Sequence, residues 1–406
     1  MPSLDSAAHA ESGVAASRYP ISWRELLIVA AVVLVLPSIA GLVPGAVQHA
    51  LDAGGGSLST LLKALASPNA ASDIGAQIAS SHALLDPSLS AYAPLHTLFA
   101  AVGVDWNVLH SNTHLPFEFA VWLPVALLPS PEWHAYWVAA MPFVLALSMR
   151  VLSVPARIAY PVALIFIVTP VGLFALVSTY PVSALALAGA WRYRDNAWIS
   201  GICYAFLAGT RGIAAIMLAY PIVTRRWKSA IVTVAALAIM LATVVALEPG
   251  IVGDFLTLGR DAMAFNTARH DNLSVTTVFA MLGIPVVLAI VMIGAMVAIG
   301  LWRKQELFWL LAWASMALTP IAWSYSVAMA VPLAVVIWRL GRLGQLAVLI
   351  MALGVAVTTS YYGPSWLVFV VVSGLALVLV NPGTGMSIGE DAPDLALRTR
   401  VETTRS

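Results

Sequence analysis

This chain is short of charge and nearly without cysteine. Only 10% of its 406 residues are charged, where soluble domains carry roughly a quarter. With so few polar side chains, no aqueous fold can cover a chain that is 61% apolar. Cys203 stands alone, which excludes an internal disulfide and a cysteine metal site. Its apolar surroundings, residues 202–207, read as packing. The net charge of +1 lacks the basic footprint of a nucleic-acid binder. The first twenty-odd residues lack the basic, apolar, small-residue order of a secretory signal, so the apolar stretch 23–45 reads as a retained anchor. There is also no convincing internal repeat of the kind transporters show.

What is present is a nearly continuous series of apolar stretches over residues 23–381. The pattern predicts an all-α polytopic membrane protein. Arg and Lys gather at 18/24, 150/157, 192/194, 225/226/228, 303/304 and 339/342, and such clusters mark the cytoplasmic side. If every cluster is cytoplasmic, each interval holds an even number of crossings, giving about twelve helices. In the interval 24–150 one of the halves 115–128 and 134–147, the first by preference, then lies shallow or re-enters. Both termini are then cytoplasmic, with residues 1–22 and 382–406 too polar to order themselves. The intervals 158–191 and 195–224 leave only 15–17 residues per helix by simple division, short of the ~20 that a span needs. Short helices of this kind predict a cavity open to the outer leaflet.

One long segment, 46–116, is too polar for lipid and follows the first helix directly. It holds Asp52, Asp73, Asp86 and Asp105 against Lys63. A second outer segment, 248–278, carries Asp254, Arg260, Asp261, Arg269, His270, Asp271 and Asn272, and reads mostly as a loop of solvated charges. Chemistry is expected at this outer face. Asp73 begins a short amphipathic helix, where a carboxylate serves either as a cap or as a base. His114 precedes Pro116 at a helix start and reads as an interfacial anchor or a site residue. Arg211 interrupts a 30-residue apolar interval. Arg at such depth costs ~2.5–3.5 kcal/mol on the lenient scale, and its planar fork of donors suits phosphate. Trp323 and Tyr325 fit an aromatic belt or a sugar-binding turn.

Taken in order, these residues resemble the GT-C class of integral-membrane glycosyltransferases, in particular glycosyltransferase family 87. The resemblance rests on Asp73 with Leu84-Leu85 and Tyr92; on His114-Leu115-Pro116 followed by Pro124 to Pro129; on Gly201 through Arg211 and the basic turn 225–228; on Asn272-Leu273-Ser274; and on Thr319-Pro320-Ile321-Ala322-Trp323. It departs from the family pattern at Leu115, at Arg211 in place of Lys, and at Tyr325 where His often stands. The resemblance implies a GT-C-type bundle in the plasma membrane with an extracytoplasmic active site and no metal or other cofactor. It implies a polyprenyl-phosphate sugar donor, mannose first and arabinose second, with a glycolipid or polysaccharide acceptor. Asp73 becomes the general base, Arg211 and His114 the phosphate-binding residues, and Asn272, Trp323 and Tyr325 the residues that hold sugar or acceptor. A transporter or flippase of lipid-linked sugars is the competing class, and an accessory membrane protein a third.

Overall fold

The structure, a computed structural model, describes residues 21–42, 73–102, 109–127, 133–176, 178–269, 272, 274–358 and 365–380. The expectations for residues 1–20 and 382–406, for Asp52, Lys63 and Asp105, and for His270 and Asp271 lie outside the described residues. Among the described residues every regular element is helical and no strand occurs.

Trp227–Leu247 is an apolar helix of 21 residues. With no proline or glycine to interrupt it, it rises ~31 Å, the thickness of a hydrocarbon core. Among the described residues ten further apolar helices run to 10–17 residues. Their ends are set locally. Pro155 precedes Ala156–Ile167 and Pro285 precedes Val286–Trp302. Arg342–Ala356 follows Gly341, whose φ of 99° excludes a side chain. Pro116–Ala126 spans 11 residues, about half a bilayer core at ~1.5 Å per residue. Large apolar side chains on Trp227–Leu247 and Val286–Trp302, including Ile231, Val234, Ile239, Val287 and Val291, face outward. An outward apolar surface of that extent belongs in lipid rather than water.

Helices pack where small residues let them approach, as in membranes generally. A side chain at Gly201 would meet Val232 Cβ at 2.7 Å, while Ser200 Oγ meets Ser229 Oγ at 2.9 Å and Thr233 Oγ1 donates to the Gly201 carbonyl at 3.1 Å. These contacts align Ala197–Thr210 in parallel with Trp227–Leu247. Gly374 on Ser365–Leu379 lies under Trp313, where an added Cβ would stand 2.5 Å from the indole Cζ2. Trp313 Nε1 also donates to the Val370 carbonyl at 2.9 Å, so the ring cannot move without losing a buried bond. Gly374→Ala is expected to cost about 1–3 kcal/mol by overpacking, read as a lower melting temperature in detergent.

The basic clusters meet one another at one end of these helices. Arg150 Nε and Nη2 donate to Glu25 at 2.7 and 3.0 Å, Arg339 donates to the Leu152 carbonyl, and Arg226 reaches Asp195 at 2.6 Å. Arg303 and Gln305 donate to the carbonyls of Leu379 and Val380. Trp191, Tyr220, Phe308 and Trp309 form an aromatic cluster alongside.

At the opposite end the two outer segments are joined. Residues 251–267, expected as a loop, are helical with a π turn at Phe255–Gly259. The reason is docking. Ser90 Oγ donates to Asp254 at 2.7 Å, the Ala91 amide donates to Glu248 at 3.1 Å, and Tyr92 packs against Phe255 with ring centres 5.8 Å apart. Glu248 and Asp254 are therefore ties between segments rather than free loop charges.

Candidate active site

Asp73 is the first residue of the helix Asp73–Ala83. Ile74 and Ile78 of this helix pack on Trp122 and Ala126 of Pro116–Ala126. One turn after Asp73, on the same face by the 3.6-residue period, Gln77 places its amide nitrogen 3.0 Å from His114 Nε2. Asp73 and His114, 41 positions apart in sequence, are thus brought within about two helical turns of each other.

His114 is gripped on all sides. Its Nδ1 lies 2.7 Å from Glu118 Oε2, its amide donates to Asn112 Oδ1 at 3.0 Å, and its carbonyl accepts from Tyr92 Oη at 2.6 Å. Asn112 is anchored in turn, donating to the Ala76 carbonyl and Ser80 Oγ. Burial pushes the Tyr92 phenol far above its usual range, so it stays a donor. Glu118 has no exposed side-chain surface, and its other oxygen accepts from Trp122 Nε1 at 3.3 Å. Sequence reasoning missed Glu118, although its signal was there: an acid inside an apolar stretch, four residues after a histidine, is expensive unless paired.

Arg211 sits at the break between Ala197–Thr210 and the 3-10 turn Gly212–Leu218. Its guanidinium donates to Thr179 Oγ1 and lies over the Tyr180 ring at 4.0 Å from the centroid. Stacking and hydrogen bonding of this kind hold a guanidinium plane in one orientation. The break presses onto the His114 corner. A Cβ at Gly212 would stand 2.9 Å from Leu115 Cδ1, and one at Gly209 would stand 3.2 Å from Phe117 Cβ. The imidazole and guanidinium corners are neighbours because these two positions are glycine.

The later residues continue the same row. Tyr325 is buried and meets Tyr180 edge-on at 5.4 Å, which places it behind the ring that carries Arg211. Trp323 is half-buried, with the Arg269 guanidinium over its ring at 5.3 Å. Neither Tyr180 nor Thr179 carries a sequence signal, since a tyrosine in a membrane helix reads as packing.

Asn272 departs from the expectation of a sugar-holding residue. Its side chain is fully buried, donates to the Pro320 carbonyl at 2.7 Å and Thr277 Oγ1 at 3.1 Å, and accepts from the amides of Ala322 and Ser274 at 2.9 and 3.2 Å. An amide spent in this way staples Asn272, Ser274 and Thr277 to the turn before Trp323. Asn272→Ala leaves several buried groups unpaired, each worth about 1–3 kcal/mol. The expected result is a fall in melting temperature by several degrees, with substrate KM unchanged in the protein that remains folded.

Among the described residues no three His, Cys, Asp or Glu side chains gather as metal ligands do. What the described side chains offer is an imidazole paired with a buried carboxylate, next to a helix break that carries an oriented guanidinium. Such a set suits an anion.

The profile of glycosyltransferase family 87 matches residues 112–319, just over half of the chain. His114, Glu118, Arg211 and Asn272 fall within the match; Asp73, Trp323 and Tyr325 fall outside it. No curated protein and no solved structure matches the chain. With the family profile covering the paired corners and the outward apolar surface around them, this chain belongs to glycosyltransferase family 87 and is a membrane glycosyltransferase.

Proposed function

We propose that the protein transfers mannose from a polyprenyl-phosphate donor to a glycolipid or polysaccharide acceptor of the cell envelope. In this reading a bundle of about twelve crossings keeps both termini cytoplasmic and the active site at the extracytoplasmic face of the plasma membrane. Transfer is a single displacement without a metal. Asp73 takes the proton of the acceptor hydroxyl as that oxygen bonds to the anomeric carbon. The bond from that carbon to the phosphate oxygen breaks, its electron pair leaves with the polyprenyl phosphate, and the configuration inverts. Arg211 meets the charge that develops on the phosphate, as fixed donors do at a departing anion. His114 assists it, and Trp323 lines the acceptor side.

The observation that carries this reading is the family match joined to the contact between the Leu115 and Gly212 corners. That contact supports a common groove for an imidazole and a guanidinium from distant parts of the chain, with the helix that Asp73 opens packed on the same Pro116–Ala126 segment. Among membrane proteins, an Arg at such a position faces a cavity or a partner rather than lipid.

The test is purified protein in proteoliposomes with labelled polyprenyl-phosphate mannose and an envelope glycolipid. Label appearing on the acceptor is the expected result. Label that crosses the bilayer still attached to its carrier identifies a flippase instead. Transfer from polyprenyl-phosphate arabinose alone assigns the second donor.

A further inference from the structure

Glu118 is a side chain that the mechanism above does not use. It has no exposed surface, sits on the otherwise apolar helix Pro116–Ala126, and stands 2.7 Å from His114 Nδ1. A carboxylate buried at such cost is held only where a partner compensates it. Its partner, His114, is a fifth exposed, and the next residue, Leu115, meets Gly212, which follows Arg211.

We propose that Glu118 is the positioning residue of the transfer site. It holds His114 by Nδ1, so that Nε2 is the nitrogen available to the departing phosphate. The inference rests on the polyprenyl-phosphate donor proposed above and assigns a residue to the same site.

The chemistry follows from which atom is engaged. Nδ1 and Glu118 Oε2 stand 2.7 Å apart as an ion pair, and in carboxylate–histidine pairs the group that faces one ring nitrogen fixes the ring and leaves the other nitrogen to its task. A carboxylate behind the ring compensates positive charge on it, so Nε2 can present a proton to a phosphate oxygen as the sugar leaves. Gln77 faces Nε2 at 3.0 Å, and its own Oε1 is buried without a hydrogen-bond partner. The two ring nitrogens are thus flanked differently, Nδ1 by the carboxylate and Nε2 by a neutral amide. Trp122 fixes the second carboxylate oxygen, so the Glu118 side chain has one orientation in which to hold the ring.

The test is a double-mutant cycle with Glu118→Gln and His114→Gln in the full-length protein, reading kcat for sugar transfer and affinity for polyprenyl phosphate. Glu118→Gln keeps the shape but removes the charge. It is expected to lower kcat about 10- to 100-fold, as loss of a carboxylate behind a working histidine does, with acceptor KM and melting temperature unchanged. In the His114→Gln background the same substitution is expected to cost nothing further, because the residue it serves is gone. Glu118→Asp retains the charge and is expected to recover part of the loss. Equal losses in both backgrounds, or a loss seen in melting temperature alone, overturn the proposal and make Glu118 a structural residue. If either Gln variant fails to fold, Glu118→Met, which also removes the charge, and His114→Asn carry the same cycle. Wild-type protein that binds no polyprenyl phosphate removes the donor reading and this role with it, and is recognised without any variant.

Discussion

Asp73→Asn is expected to lower sugar transfer by about 10²–10⁴-fold, the contribution of a positioned general base, while binding of polyprenyl phosphate stays within about twofold. The two effects separate because Asn keeps the size of the side chain and its capacity to accept a hydrogen bond at a helix start, and loses only the ability to take a proton. Asp73 opens the helix whose next turn presents Gln77 to His114. A mutation that merely frayed this helix would also release Asn112 from Ala76 and Ser80, and would lower the melting temperature. An unchanged melting curve with lost turnover therefore identifies chemistry. Retained turnover would remove Asp73 from the site and return it to a capping role.

Arg211→Ala is expected to weaken donor binding about 10- to 100-fold, since a hydrogen bond to a charged group contributes about 1.5–3 kcal/mol. The measurement is the dissociation constant for polyprenyl phosphate, with the acceptor KM as control. Arg211→Lys is the sharper comparison. Lysine keeps the charge but has no plane to lie on Tyr180 and no fork to hold both Thr179 and a phosphate. It is expected to recover only part of the affinity, although the family often places Lys here. Unchanged donor affinity in Arg211→Ala would leave this guanidinium a structural residue bound to Thr179 and Tyr180.

The helical class and the polar break before His114 were legible because a bilayer imposes length and apolarity on each element. Positions that punctuate the chain were also legible: Pro116 opens a helix, and Thr210 closes one just before Arg211. The site was legible as single residues and not as an arrangement. Spacing along a chain carries no information on contacts between Leu115 and Gly212 or between Tyr180 and Tyr325, which helix packing creates. Residues 251–267 look like a charged loop because the features that fold them, Ser90, Ala91 and Tyr92, lie some 160 positions away. Asn272 misleads for the related reason that a buried amide and a ligand-binding amide have the same sequence signature.

The parallel pairing of Ala197–Thr210 with Trp227–Leu247 has a consequence for the lipid. Both helices start level, with Ser200 beside Ser229, but one has 14 residues and the other 21. At ~1.5 Å per residue, Arg211 lies about 10 Å below the tip of its longer neighbour. With the tip of the longer helix at the phosphate plane, the head group of the proposed polyprenyl-phosphate donor must sink by about that distance to reach it. Hydrophobic mismatch then becomes a control on turnover: acyl chains that thin the bilayer bring the head group to Arg211, and thicker ones lift it away.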